Sequence, residues 1–120
     1  MPTQPLLIVD HGSKRTEANR MLEDVVALLK KLRPGLIVRH AHMELATPDI
    51  PEGFSSCVAA GAGEVIVHPY MLSPGRHATE DIPHLVAQAA AAFPNVTYRV
   101  TEPLGLDEKL CELVLERAGL

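Results

Sequence analysis

Short apolar runs alternate along this chain with segments whose apolar residues recur at helical spacing. Leu6-Leu7-Ile8-Val9 is continuous, the mark of a strand buried on both faces. From Thr16 to Leu32 the residues Met21, Leu22, Val25, Val26, Leu28, Leu29 and Leu32 fall on one stripe, with Glu17, Glu23, Asp24, Lys30 and Lys31 elsewhere. That pattern predicts an amphipathic helix closed by Pro34-Gly35. Residues 36–42 read as a second strand with a polar outer end. Thr47-Pro48-Asp49 predicts the next helix start, with Thr47 as cap and Pro48 in the first helical position. Gly61-Ala62-Gly63 ends that helix, and Glu64 to Pro69 forms a third strand rich in β-branched residues. A third helix is expected over about 79–93, a fourth strand over 95–100 and a last helix over 107–117.

Strict strand–helix alternation implies a parallel sheet with helices on both faces, because each parallel connection crosses over and does so right-handedly. The expectation is a single-domain, three-layer α/β/α sandwich over residues 1–120, with four parallel strands in the order 2-1-3-4. In such sheets ligands bind at the carboxyl edge, where the strand order reverses. Here that switch point lies between strands 1 and 3, whose ends lead into His11 and into the 70–77 connection. His11 and His77 should face each other across this crevice.

The candidate chemistry gathers at that edge. Gly12 after His11 permits a sharp turn and a close approach to a ligand, while Ser13 and the basic pair Lys14-Arg15 can meet negative charge. His11 could equally be a turn residue that bonds locally. The connection Tyr70-Met71-Leu72-Ser73-Pro74-Gly75-Arg76-His77 is longer than the usual βα loop and carries Gly75, Arg76 and His77 together, which favours a functional role for His77. Asp81 can meet the start of the following helix and Pro83 its first turn. Glu44 follows the second strand and could complete a His/His/Glu site; helix capping is its competing role. Imidazole and carboxylate donors suit divalent first-row metals. His40 and His42 share one face of strand 2, the former expected half-buried and the latter at the surface or behind the site. His68 and His84 have no evident partner and are read as structural.

Composition narrows the function classes. The 120 residues are 47% hydrophobic and 22% charged, enough for one core and no separate substrate domain. A formal net charge of -4, no Trp and no long basic run argue against nucleic acid. Cys57 and Cys111 lie in apolar helical patterns without metal-ligand spacing and are expected as small buried residues. No stretch has the roughly 18 apolar residues needed to span a membrane, and nothing resembles a signal peptide. The expectation is a cytoplasmic protein. A domain this small offers limited concave surface for a large ligand, which points to a homodimer.

Several segments together resemble a known family: Asp10-His11-Gly12-Ser13-Lys14-Arg15, Glu44 through Pro51, Ala59-Ala60-Gly61-Ala62, Pro69-Tyr70-Met71-Leu72 and Gly75 through Pro83. The chain is similar, over nearly its whole length, to the small single-domain sirohydrochlorin cobaltochelatases and ferrochelatases of the CbiX family. The most specific segment is the glycine-basic-His with Asp-Ile-Pro four positions on. The chain departs from the family pattern at Ser73-Pro74, where many relatives carry a more apolar stretch. The resemblance implies a chelatase fold and insertion of a divalent metal, Co2+ or Fe2+, into sirohydrochlorin without a nucleotide cofactor. It implies His11 and His77 as the metal-handling pair, Glu44 as the accompanying acid, and a homodimer. Gly12, Ser13, Lys14, Arg15, Gly75 and Arg76 are the candidates for holding the substrate's carboxylates. A nickel chelatase of the same family and a non-catalytic tetrapyrrole or metal carrier are the alternatives. A small metal-dependent hydrolase fits less well, because no separate nucleophile accompanies the histidines.

Overall fold

The computed structural model describes residues 2–120, and the expected alternation is present throughout. The order is β1 (Leu6–Asp10), α1 (Thr16–Leu32), β2 (Val38–His42), α2 (Ile50–Ala59), β3 (Glu64–Pro69), α3 (Ile82–Ala90), β4 (Thr97–Val100) and α4 (Glu108–Ala118). A π-helical turn, His77–Asp81, runs directly into α3. All strand pairings are parallel and the sheet order is β2-β1-β3-β4.

The layers follow from which side of each strand is apolar. On β1, Leu7 and Val9 point into a core with Ile50, Phe54 and Cys57 of α2 and Ile82 and Val86 of α3. Ile8 faces the other way, against Leu22 and Val26 of α1. A strand with both faces covered must be apolar at consecutive positions, which is why 6–9 shows no alternation. On β3 the alternation is clean: Val65 and Val67 are buried while Glu64, Ile66 and His68 are half-buried. Burial pushes the Cys57 thiol up to about 11, as for an inert core residue.

Four local expectations are corrected. The seven-residue stripe of α1 is too wide: Leu22 and Val26 are buried, with Val25 and Leu29 packed beside them, whereas Met21, Leu28 and Leu32 are exposed. One helix against a two-strand strip covers only the i, i+3, i+4, i+7 arc. Thr47 does not cap α2. Asp49 does, accepting from Glu52 N at 2.9 Å while the Glu52 side chain accepts from Asp49 N at 3.1 Å, and Pro51 sits in the first turn in place of Pro48. The reciprocal pair satisfies two orphan N–H groups where Thr47 would satisfy one. Asp49→Ala is expected to cost about 1 kcal/mol of stability in denaturant unfolding. The third helical segment starts earlier than expected, at His77. Finally, α4 buries none of its 11 residues, so Cys111 is exposed and not a core residue.

Candidate active site at the carboxyl edge of the sheet

The parallel register puts Asp10, the last residue of β1, beside His42, the last of β2. Their backbones remain joined beyond the strands: Met43 N donates to Asp10 O at 2.9 Å and Glu44 N to His11 O at 3.1 Å. Two side chains that are 33 positions apart in sequence are thereby held side by side. His11 Nε2 lies 3.2 Å from Glu44 Oε1, and both side chains are about half exposed. Leu45, immediately after Glu44, has φ 71°, a left-handed conformation that a leucine adopts at a cost of roughly 1–2 kcal/mol. That turn carries the chain away from the edge and leaves Glu44 in place.

His77 reaches the same point from the opposite wall. The His11 and His77 rings meet edge to face with centroids 4.8 Å apart, as expected from the strand order. Each ring has one nitrogen committed. His77 Nδ1 donates to Asp81 Oδ2 at 2.8 Å, and His11 Nδ1 donates to the Gly12 carbonyl at 3.2 Å. In a neutral imidazole this leaves Nε2 as the lone-pair nitrogen. His11 Nε2 faces a carboxylate oxygen, an arrangement that demands a proton or a metal cation between them; with the proton on Nε2, the neutral ring donates to Glu44 and no longer from Nδ1 to the Gly12 carbonyl. A carboxylate behind an imidazole also fixes tautomer and ring orientation in metal-handling histidines.

Behind His11, His42 is buried and donates from Nδ1 to Asp10 Oδ1 at 2.6 Å. This corrects the surface option for His42: it and Asp10 form a supporting pair, Asp10 one residue from His11 and His42 two from Glu44. His40 is half-buried beside it, and burial holds its pKa below the usual imidazole value. His68 lies elsewhere on the edge, bonded through Nδ1 to Thr101 Oγ1 at 2.8 Å, with its pKa also lowered by burial. Thr101 is the partner that the sequence did not reveal. His84 is not in the core: its exposed side chain lines a cleft of about 340 Å3 with Met43, Glu44, His77, Asp81 and Leu85.

The anion-binding candidates flank His11 and His77 along the chain. The Ser13 backbone is pinned by Asn19, whose side chain accepts from Ser13 N at 2.9 Å and donates to Ser13 O at 2.7 Å. Lys14 and Arg15 are exposed at the start of α1. Arg76 is exposed and pairs with Glu80 at 3.4 Å. Gly75 has open space around it. Among the described residues, no group of three His, Cys, Asp or Glu side chains is gathered closely enough to hold a metal ion as it stands. A larger cleft, about 570 Å3, is lined by the Val100–Leu106 segment and by Pro74, Ala78, Thr79 and Pro83; it holds no imidazole.

Sequence reasoning missed Asp81 as the partner of His77 and His84 as a cleft residue. Both lie at helical spacing from His77, at i+4 and i+7. Starting the helix at His77 and not at Thr79 reveals them.

Known proteins share this arrangement of sequence and fold. A sirohydrochlorin ferrochelatase of Arabidopsis thaliana chloroplasts is 48% identical over 112 residues, covering 93% of this chain and 50% of the plant protein. A sirohydrochlorin cobaltochelatase of Methanococcus maripaludis is 28% identical, covering 97% of this chain and 98% of its own. The crystal structure of the sirohydrochlorin chelatase SirB of Bacillus subtilis, in complex with cobalt, superposes with a TM-score of 0.91 at 31% identity. That match covers 99% of this chain and 50% of SirB. The chain thus spans about half the length of the plant and Bacillus proteins and nearly all of the archaeal one. The family profile named CbiX matches residues 5–119, and this chain belongs to the CbiX family.

Proposed function

We propose that this protein inserts a divalent metal ion, Co2+ or Fe2+, into sirohydrochlorin, with His11, His77 and Glu44 as the groups that touch the reacting atoms. The observation that carries this reading is the Nε2 of His11 placed 3.2 Å from Glu44 Oε1, with the His77 ring against it. Two adjacent ligands each about 2.1 Å from one ion stand roughly 3.0 Å apart, so the His11–Glu44 pair has the bite of a metal chelate. The relatives named for iron and cobalt support the choice of metals.

Insertion requires the ion to shed water and the macrocycle to lose its pyrrole N–H protons. The lone-pair nitrogens of His11 and His77 can bind the ion and accept protons in turn, because neutral imidazole serves both roles near neutral pH. Glu44 compensates the positive charge that accumulates when a proton or ion arrives at His11. Asp81 keeps the Nδ1 proton of His77 in place, so that Nε2 faces the crevice. The half exposure of these groups leaves room for a planar substrate. Its carboxylates would be met by Lys14, Arg15, Arg76, the Ser13 hydroxyl and the N–H groups of Gly12 and Gly75. The metal is a substrate that must leave with the product, which suits donors that are not closed into a tight shell.

One such unit presents an open edge, and we propose that a second copy covers it in a homodimer. Two free cysteines suit a reducing compartment, for which we propose the cytoplasm. Among the described residues no helix is long and apolar enough to cross a membrane.

The deciding experiment follows sirohydrochlorin absorption anaerobically with catalytic amounts of protein and Co2+, Fe2+ or Ni2+ in separate runs. Many turnovers above the uncatalysed rate are expected with Co2+ or Fe2+. A stoichiometric spectral change that stops after one equivalent would mean a carrier. Asp81→Ala is expected to lower kcat/KM for the metal by about 10–100-fold, the usual cost of losing the carboxylate behind a metal-handling histidine. Parental kcat/KM in that variant would remove Asp81 from the site.

A further inference from the structure

His77, Asp81 and His84 follow one another at i, i+4 and i+7, first around the π-helical turn and then along α3. That spacing places all three on one face, with the two imidazoles separated by roughly 10 Å along the axis. They form one wall of the 340 Å3 cleft whose opposite wall carries Met43 and Glu44. Two imidazoles, two carboxylates and a thioether therefore line a path that begins at the exposed His84 and ends at the His11–Glu44–His77 cluster. Nothing in the fold requires a histidine at 84. The position is exposed on a helix, where alanine, glutamine or lysine would serve at least as well.

We propose that His84 is a capture ligand for the incoming metal ion. It takes the hydrated divalent cation at the outer mouth of the cleft through one imidazole nitrogen, displacing one water. Water then replaces His84 on the ion, which moves along the cleft past Asp81 to Glu44 and His77, where these displace further waters. The inference rests on the metal-insertion reading above and adds the direction from which the ion arrives. The chemistry is one of ligand exchange. An imidazole binds Co2+, Fe2+ or Ni2+ well enough to hold the ion near the entrance, and a single protein ligand is weak enough to release it inward. The Glu44 and Asp81 carboxylates supply the negative field that draws the cation along the wall. Because the ion enters from the α3 side, the basic residues 14, 15 and 76 remain free for the macrocycle.

Two measurements test this. In steady state, His84→Ala is expected to raise KM for Co2+ about tenfold while KM for sirohydrochlorin stays at the parental value. His84→Asp, which restores a metal donor, is expected to recover most of the loss, and His84→Gln is not. The second measurement needs no turnover. Substoichiometric Co2+ alone, added to the protein without tetrapyrrole, is expected to broaden the imidazole proton resonances of His84 by its paramagnetism, also in the His77→Ala background. Sharp His84 signals under Co2+, or a parental KM for metal in His84→Ala, would overturn the capture role. A wild-type protein without turnover would sink the insertion reading instead, and the resonance measurement would still decide whether His84 takes metal.

Discussion

His11→Ala and His77→Ala are each expected to lower the proposed metal insertion by about 10²–10⁴-fold, the range expected when a positioned proton acceptor is lost from a site. The expectation follows from how each ring is held. His11 has its Nδ1 3.2 Å from the Gly12 carbonyl and its Nε2 3.2 Å from Glu44, so alanine removes the nitrogen that faces the carboxylate and leaves Glu44 without its partner. His77 has its Nδ1 proton on Asp81, and alanine there leaves the crevice with one imidazole where the proposed metal transfer and proton removal use two. Both side chains are about half exposed, so neither substitution opens a core cavity and the folded state should survive. The double variant should be little worse than either single one, because groups that act on one transition state are not additive. The check is the anaerobic absorption assay beside thermal melts of each variant. Parental turnover in either single variant would eliminate the two-imidazole mechanism.

Much of this arrangement is legible in the sequence because it depends on coarse periodicity. The run at 6–9, the β-branched strand at 64–69 and the helical spacing at 22, 25, 26 and 29 are enough to give a parallel sheet. The switch point then brings residues 11 and 77 together. What is not legible depends on competition between neighbours. Thr47 and Asp49 both have capping chemistry, and only the reciprocal bond with Glu52 decides for Asp49. His42 reads as a residue at the surface or behind the site, and only the β1–β2 register, which sets it opposite Asp10, decides for the second. Asp81 reads as a helix-terminus charge, and its partner appears only once the helix begins at His77. The last helix has the apolar periodicity of a packed element, yet Leu113, Val114 and Leu115 are exposed. Periodicity states that a face is apolar; it does not state which surface will cover it.

Gly12→Ala is expected to destabilise the fold by roughly 2–5 kcal/mol, combining the left-handed backbone penalty with overpacking. Gly12 has φ 91°, and a Cβ there would stand 1.8 Å from the Glu44 carbonyl oxygen and 3.2 Å from the His42 Cβ. The first contact is with backbone and cannot be relieved by rotating a side chain. The segment after β2 would have to move outward, and with it the Glu44 N to His11 O bond that sets the two groups side by side. The same methyl therefore strikes stability and the metal chelate together. The melting temperature should fall by roughly 10 °C or more, and metal insertion should drop even at temperatures where the variant stays folded. Gly75→Ala is the internal comparison. It lies in the same edge cluster, but its added Cβ meets nothing within 4 Å and its φ is not positive, so its melt should match the parent. A Gly12→Ala protein that melts with the parent would mean that the β2 segment yields freely, and that the His11–Glu44 juxtaposition is not held by this contact.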